Sequence, residues 1–317
     1  MSITPSETAA NDKQERLNRL VARVKGLPPI PVAVAYPCDK ESLRGPLMAA
    51  AAGIIQPILV GPEAKIRALA EEFSLDLKGV RIVDVASSID SANRAVQLVR
   101  ENEAVALMKG SLHTDELMGA VVSRANEFRT KRRISHVFVM DVPTYPRPML
   151  ITDAAVNIAP TLEEKVDIAQ NAIDLAHALG IAEPKVAILA AVETVNPKMP
   201  ATLEAAALCK MADRGQIKGG ILDGPLAFDN AVSPEAVRIK GIKSPVAGQA
   251  DIFLVPNLEV GNVLFKQLEY LANALTAGIV LGAKAPVILT SRADSAETRT
   301  ASCVIAALIA HANKKEK

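Results

Sequence analysis

The sequence predicts an α/β protein of two domains. Short β-branched runs alternate with longer helical patterns almost throughout, and many of the runs are continuously apolar, as strands covered on both faces are. Length agrees: 317 residues, half of them hydrophobic, suit about two domains with a core each.

The elements follow in order. Residues 11–25 carry Leu17, Leu20, Val21 and Val24 at i, i+3, i+4 and i+7, an amphipathic opening helix. Strand runs fall at 31–36, 57–60, 80–85, 104–108, 136–142, 149–152, 186–192, 219–222, 252–255 and 287–290. Asp39 can cap a helix that stops at Gly53, and Pro62 suits the first position of the next. Thr161-Leu162-Glu163-Glu164 is a capping box, and Gly180 closes the helix it starts. The helix over 201–214 ends at Gly215. Pro143, Pro146 and Pro148 resist helix and central strand alike, so 143–148 reads as a crossover between domains. The last strand and helix, 286–313, fit either domain on pattern alone.

Composition removes several classes. Lys plus Arg number 36 against 35 for Asp plus Glu, a net charge of +1, which gives no global field for nucleic acid or an anionic membrane. Aromatics are 3% with no Trp, too few for stacking platforms. Cys38, Cys209 and Cys303 are odd in number and widely spaced, neither a disulfide framework nor a zinc site, and a reducing cytosol suits them. No signal peptide is expected, and the longest apolar runs are under half of a membrane span of about 20 residues. The expectation is a cytoplasmic protein without nucleic-acid or membrane partners.

Ligand sites of open α/β folds lie at the carboxyl ends of strands. One such end is Met108-Lys109-Gly110-Ser111-Leu112-His113-Thr114. A Lys at the exit, a Gly allowing close backbone approach and hydroxyls before a helix make an anion cradle; an ordinary loop with Thr114 as helix cap fits as well. A second is Thr290-Ser291-Arg292-Ala293-Asp294-Ser295-Ala296-Glu297-Thr298-Arg299. A cap at Asp294 or Ser295 with Glu297 in the first turn explains three of these and leaves Ser291 and Arg292 without a structural task. The Arg fork suits phosphate oxygens. Asp223 and Asp229, six apart, fit a divalent metal or plain turn chemistry equally. Asn262 and Lys266, four apart, share a helix face that fits a site or solvent. His113, His136, His177 and His311 show no metal-ligand spacing, and neither a Gly-x-Ser-x-Gly nor a Gly-x-Gly-x-x-Gly motif occurs.

Taken in order, Met108-Lys109-Gly110 with His113-Thr114, the segment 151–160, Asp223-Gly224-Pro225-Leu226, the segment 245–251, Pro256-Asn257-Leu258-Glu259-Val260-Gly261-Asn262 with Lys266, and Ser291-Arg292 resemble the phosphate acetyltransferase and phosphate butyryltransferase family. The resemblance implies an isocitrate/isopropylmalate dehydrogenase-like fold: two α/β domains with mostly parallel sheets and an interdomain cleft. It puts 1–145 with 285–317 in the first domain and 146–284 in the second. It implies a homodimer, no metal, no cofactor beyond coenzyme A as substrate, and direct conversion of acyl-CoA and inorganic phosphate to acyl phosphate and CoA, with acetyl as the acyl group. Two positions depart from the acetyl-specific pattern: Gly119 stands where an Arg is usual, and Thr298 where an Asp is thought to deprotonate CoA. Ser-Arg-Ala-Asp-Ser-Ala-Glu is closer to the butyryl branch.

The chemistry expected on that basis assigns Ser291 and Arg292 to the oxyanion. Lys109, Gly110, His113 and Thr114 hold phosphate, and Asn262, Lys266 and Ser295 bind substrate. Glu297 and Asp294 are the remaining candidates for the base that ionises the CoA thiol. Three alternatives stand beside this one: transfer of longer, butyryl-type chains; a metal-dependent decarboxylating dehydrogenase using Asp223 and Asp229, whose dinucleotide loop the sequence lacks; and a non-catalytic CoA or metabolite-binding protein.

Overall fold

The computed structural model describes residues 7–291 and 294–315. The chain divides into two compact units, Met1–Arg132 with Leu275–Lys317, and Arg133–Ala274. The first unit opens with α1 (Glu7–Ala22), β1 (Ile30–Ala35), α2 (Lys40–Ala51), β2 (Ile55–Gly61), α3 (Glu63–Glu72), β3 (Arg81–Asp84), α4 (Ser88–Arg100), β4 (Ala106–Lys109) and α5 (Thr114–Val122). The second holds β5 (Ser135–Asp141), β6 (Met149–Thr152), α6 (Leu162–Ala178), β7 (Lys185–Leu189), α7 (Pro200–Asp213), β8 (Ile221–Leu226), α8 (Phe228–Val232), α9 (Pro234–Lys240), β9 (Ile252–Leu254) and α10 (Leu258–Leu271). The chain then returns to the first unit with β10 (Leu275–Leu281), β11 (Val287–Ile288) and α11 (Ala296–Lys315).

In the first unit the strands run β3-β2-β1-β4-β11-β10, and in the second β5-β6-β9-β7-β8. β1 lies between β2 and β4, parallel to both, and its Val32, Ala33, Val34 and Ala35 are fully buried, which is why that run is apolar without alternation. Both sheets are mixed, because β5–β6 and β10–β11 are antiparallel. Connections of seven residues (142–148) and five residues (282–286) are too short for a crossover and can only turn the chain back. The proline-rich stretch is thus a return inside the second unit and not a passage between units. It is pinned there by the Tyr145 hydroxyl on the Ala250 carbonyl (2.6 Å) and by Arg147 on the Gln249 carbonyl (2.9 Å) and Asp251 (3.2 Å).

Helix punctuation follows local chemistry. The Asp39 carboxylate accepts from the Ser42 amide at 2.8 Å. At α6, Thr161 Oγ1 accepts from the Glu164 amide (3.3 Å) and Glu164 accepts from the Thr161 amide (2.9 Å). Pro62 occupies the cap position one residue before α3. Two further sequence expectations differ. β10 is a strand no expected run covered. β8 continues through Asp223-Gly224-Pro225, which turn chemistry had assigned to a loop. It is an edge strand, where a proline leaves no ladder bond unmade, and a side chain on Gly224 would come within 2.8 Å of Ile188. Among the described residues no helix is long and apolar enough to cross a membrane.

Candidate active site

β4 delivers Lys109 as its last residue, 2% exposed, with the ammonium donating to the Gly110 carbonyl at 3.4 Å. The next residues lock onto the exit of β1. Gly110 N donates to Ala35 O (2.8 Å), Ser111 N to Tyr36 O (2.8 Å) and Ser111 Oγ to Tyr36 O (2.9 Å), while Ser111 Oγ accepts from Cys38 N (3.2 Å). Gly110 is required by this approach: a Cβ there would lie 2.3 Å from Ala35 O and 2.4 Å from Tyr36 O. Gly110→Ala is therefore expected to lose about 1–3 kcal/mol through strain, measured as a fall in the thermal midpoint. A wild-type midpoint would mean that the two loops separate without penalty. His113, not Thr114, occupies the cap position of α5, with its amide on Glu116 Oε2 at 2.7 Å, and both residues are exposed.

The second expected segment starts where β11 ends. Arg292 lies outside the described residues. Ser291 is exposed, and its amide donates to Asp294 Oδ2 at 2.7 Å. Asp294 is 8% exposed and closes this turn, so the cap of α11 falls to Ser295, whose hydroxyl accepts from the Thr298 amide at 3.3 Å. Glu297 is 32% exposed and lies 3.8 Å from Arg44, which also lies 3.8 Å from Glu41. Glu41 in turn accepts from the Ala296 amide at 3.1 Å. Thr298, in the position where an Asp was expected, is 3% exposed inside α11.

One residue joins the two segments. Arg299 is fully buried, and its guanidinium donates to the Lys109 carbonyl (3.3 Å), Thr290 Oγ1 (2.8 Å) and the Ser291 carbonyl (2.9 Å). Burial pulls it below the ordinary arginine range, and the carboxylates of Asp39, Asp294 and Glu41 oppose that pull. In sequence it passed for part of a helix start. The available signal was a charge among the otherwise apolar and small residues that follow it.

Asn262 and Lys266 belong to the second unit. Asn262 reaches the Ala154 carbonyl at 3.5 Å, and Lys266 is exposed. Around them the family-like segments do structural work. The buried Asp153 carboxylate accepts from the amides of Ala155 (2.9 Å), Val156 (3.0 Å) and Asn157 (3.2 Å), and from Asn157 Nδ2 (2.5 Å). Gly261 lets α10 close on that loop, since a Cβ would lie 2.8 Å from Ala154 Cβ. Asp223 accepts from its neighbour's amide at 2.9 Å, and Asp229 is paired with Lys240 at 2.9 Å, which holds its carboxyl below the usual range. Among the described residues no group of three His, Cys, Asp or Glu is placed to hold a metal ion.

Burial pushes the Cys38 thiol up to about 11, and those of Cys209 and Cys303 up to about 12. The thiolate is the nucleophile, so none of the three is suited to carry an acyl group at neutral pH.

The family described as phosphate acetyl/butaryl transferase matches residues 86–307. A phosphate acetyltransferase of Rhizobium meliloti is 60% identical over 295 residues, 93% of this chain and 93% of that protein. A phosphate butyryltransferase of Clostridium acetobutylicum is 44% identical over 293 residues, 92% of this chain and 97% of that one. Among solved structures, a branched-chain phosphotransacylase from Enterococcus faecalis V583 matches with a TM-score of 0.79 at 33% identity, over 89% of this chain and 99% of that one. This match corrects the expected isocitrate/isopropylmalate dehydrogenase-like fold: the solved fold shared is that of a phosphotransacylase. Strand–helix alternation constrains the layering but leaves strand order and direction open, and the two short returns decide them here.

Proposed function

This chain belongs to the phosphate acetyl/butyryl transferase family and moves an acyl group reversibly between coenzyme A and inorganic phosphate; we propose that the exits of β4 and β11 in its first unit form the part of the site that holds phosphate and the reacting carbonyl. One observation carries this: a single buried guanidinium, Arg299, binds the carbonyls of both Lys109 and Ser291 and so keeps the two exits side by side.

In the direction that makes acyl phosphate, phosphate is the nucleophile and needs holding more than activating. Lys109 supplies the charge, and the exposed loop through His113 and Thr114 supplies the surroundings. As phosphate attacks the thioester carbonyl, negative charge grows on its oxygen. The Ser291 hydroxyl and Arg292 stabilise it, and CoA leaves as thiolate. Direct attack fits the three cysteines, whose burial keeps them protonated. Asn262, Lys266 and Ser295 contact the substrates in this reading. Acetyl is the acyl group, supported by the 60% identity to an acetyltransferase against 44% to a butyryltransferase.

We place the enzyme in the cytosol, which suits three free cysteines, and assign it as a homodimer. Support for the dimer comes from the second unit, where Met199, Val260 and Val263 are exposed beside a groove of about 880 Å³.

The test is release of CoA thiol from acetyl-CoA, with butyryl-CoA in parallel. Release is expected to require phosphate, to favour acetyl-CoA and to be unchanged by EDTA. Loss in EDTA restored by magnesium would return Asp223 and Asp229 to the reaction, and phosphate-independent release would sink the mechanism.

A further inference from the structure

Arg299 is an expensive residue for its position. Its neighbours along α11, including Ala301, Cys303, Val304 and Ile305, are buried and apolar, and an apolar side chain would fill the same volume without desolvating a charge. Among the described residues none of its three hydrogen bonds goes to a carboxylate, and its Nε has no partner. The opposing helix gives something up as well. Gly45 lies inside α2, where glycine is unfavourable by about 1 kcal/mol. A Cβ there would sit 2.7 Å from Arg299 Cβ and 2.8 Å from its Cδ. Two unfavourable choices on two helices thus serve one contact, and its product is a fixed spacing between the ends of β4 and β11.

We propose that Arg299 is a positioning residue for acyl transfer: by binding the Lys109 carbonyl, Thr290 and the Ser291 carbonyl with one rigid fork, it sets the distance between the phosphate-holding and the carbonyl-holding strand exits, and Gly45 exists to let it through. This rests on the site assignment above. It adds a role for two residues that touch neither substrate. The planar fork matters because three acceptors at two strand exits must be met from one direction, which a lysine ammonium on a shorter reach does not do. Misplacing reacting groups by about 1 Å can lower a rate by about 10²-fold.

The experiment is steady-state kinetics in both directions on purified Arg299→Lys and Gly45→Ala, each with a thermal midpoint and a measured folded fraction. The expected result is a folded Arg299→Lys with kcat lowered by about 10- to 100-fold, KM for phosphate raised several-fold, and KM for acyl-CoA little changed. Gly45→Ala should give the same pattern more weakly, since it displaces the guanidinium without removing it. The unequal change of the two KM values separates positioning from stability, because a merely less stable enzyme loses active molecules and keeps its KM values. The proposal is overturned if either variant folds and keeps wild-type kcat and KM. It is equally overturned if kcat falls only with the folded fraction, or if both variants fail to fold. A wild-type chain that does not turn over acetyl-CoA with phosphate would instead sink the functional reading, before any variant is compared.

Discussion

Arg292→Ala is expected to lower kcat by about 10²–10³-fold in both directions, with the thermal midpoint changed by no more than a few degrees. A thioester carbonyl under attack by phosphate develops charge on oxygen, and the group facing it must be a preformed donor rather than reorganising water. A guanidinium offers that charge in a planar fork that also suits phosphate oxygens. Stability should survive because the preceding residue is held by other groups: the Ser291 amide by Asp294, and the Ser291 carbonyl by Arg299. Arg292→Lys should also be poor, since a point charge does not reproduce the fork. Equal losses of stability and activity in Arg292→Ala would make it a structural ion-pair partner and move the oxyanion role elsewhere.

The α/β layering was legible because short, continuously apolar runs alternate with longer helical patterns, and the caps at Asp39 and Thr161 were legible because they are local chemistry. β10 was not. Leu275-Thr276-Ala277-Gly278-Ile279-Val280-Leu281 is buried on both faces over its first six residues, so it carries no alternation and reads equally as more of the helix before it. Asp223-Gly224-Pro225 failed for the opposite reason: its local preference for a turn is real, and an edge position overrides it. The fold name failed because strand direction depends on connection geometry, which motif order does not encode. At the candidate site, Lys109 and Ser291 were singled out because strand exits attract ligands. Arg299 was not, because the three acceptors it binds lie 8, 9 and 190 residues away in sequence. The choice of cap between Asp294 and Ser295 stayed open for a similar reason. Either can cap a helix in the abstract, and only the packed turn shows that Asp294 faces back to Ser291 while Ser295 serves α11.

The same turn narrows the search for the base in the CoA-consuming direction, where the thiol must ionise before it attacks acyl phosphate. Thr298 holds no titratable group and is buried in α11. Asp294 is buried, with Oδ2 engaged by the Ser291 amide, and so is the less accessible carboxylate. Glu297 is the remaining carboxylate of the segment, a third exposed and, among the described residues, approached by Arg44 at 3.8 Å, which Glu41 shares. That loose pairing leaves the carboxylate accessible, with Arg44 equally near Glu41. Glu297→Gln is therefore expected to slow the CoA-consuming direction by about 10²-fold. It should slow the phosphate-consuming direction less at low pH, where a leaving thiol can be protonated from solvent. The pH profile gives the sharper reading. A base works only when ionised, so a rate that depends on one falls toward acid, and the glutamine variant should lose that acid limb while keeping whatever rise follows the ionisation of the thiol itself. The measurement is initial rate of acetyl phosphate consumption against pH at saturating CoA. An unchanged profile with an unchanged rate would leave Glu297 as a helix-start partner of Arg44, and would mean that the enzyme captures thiol already ionised in solution.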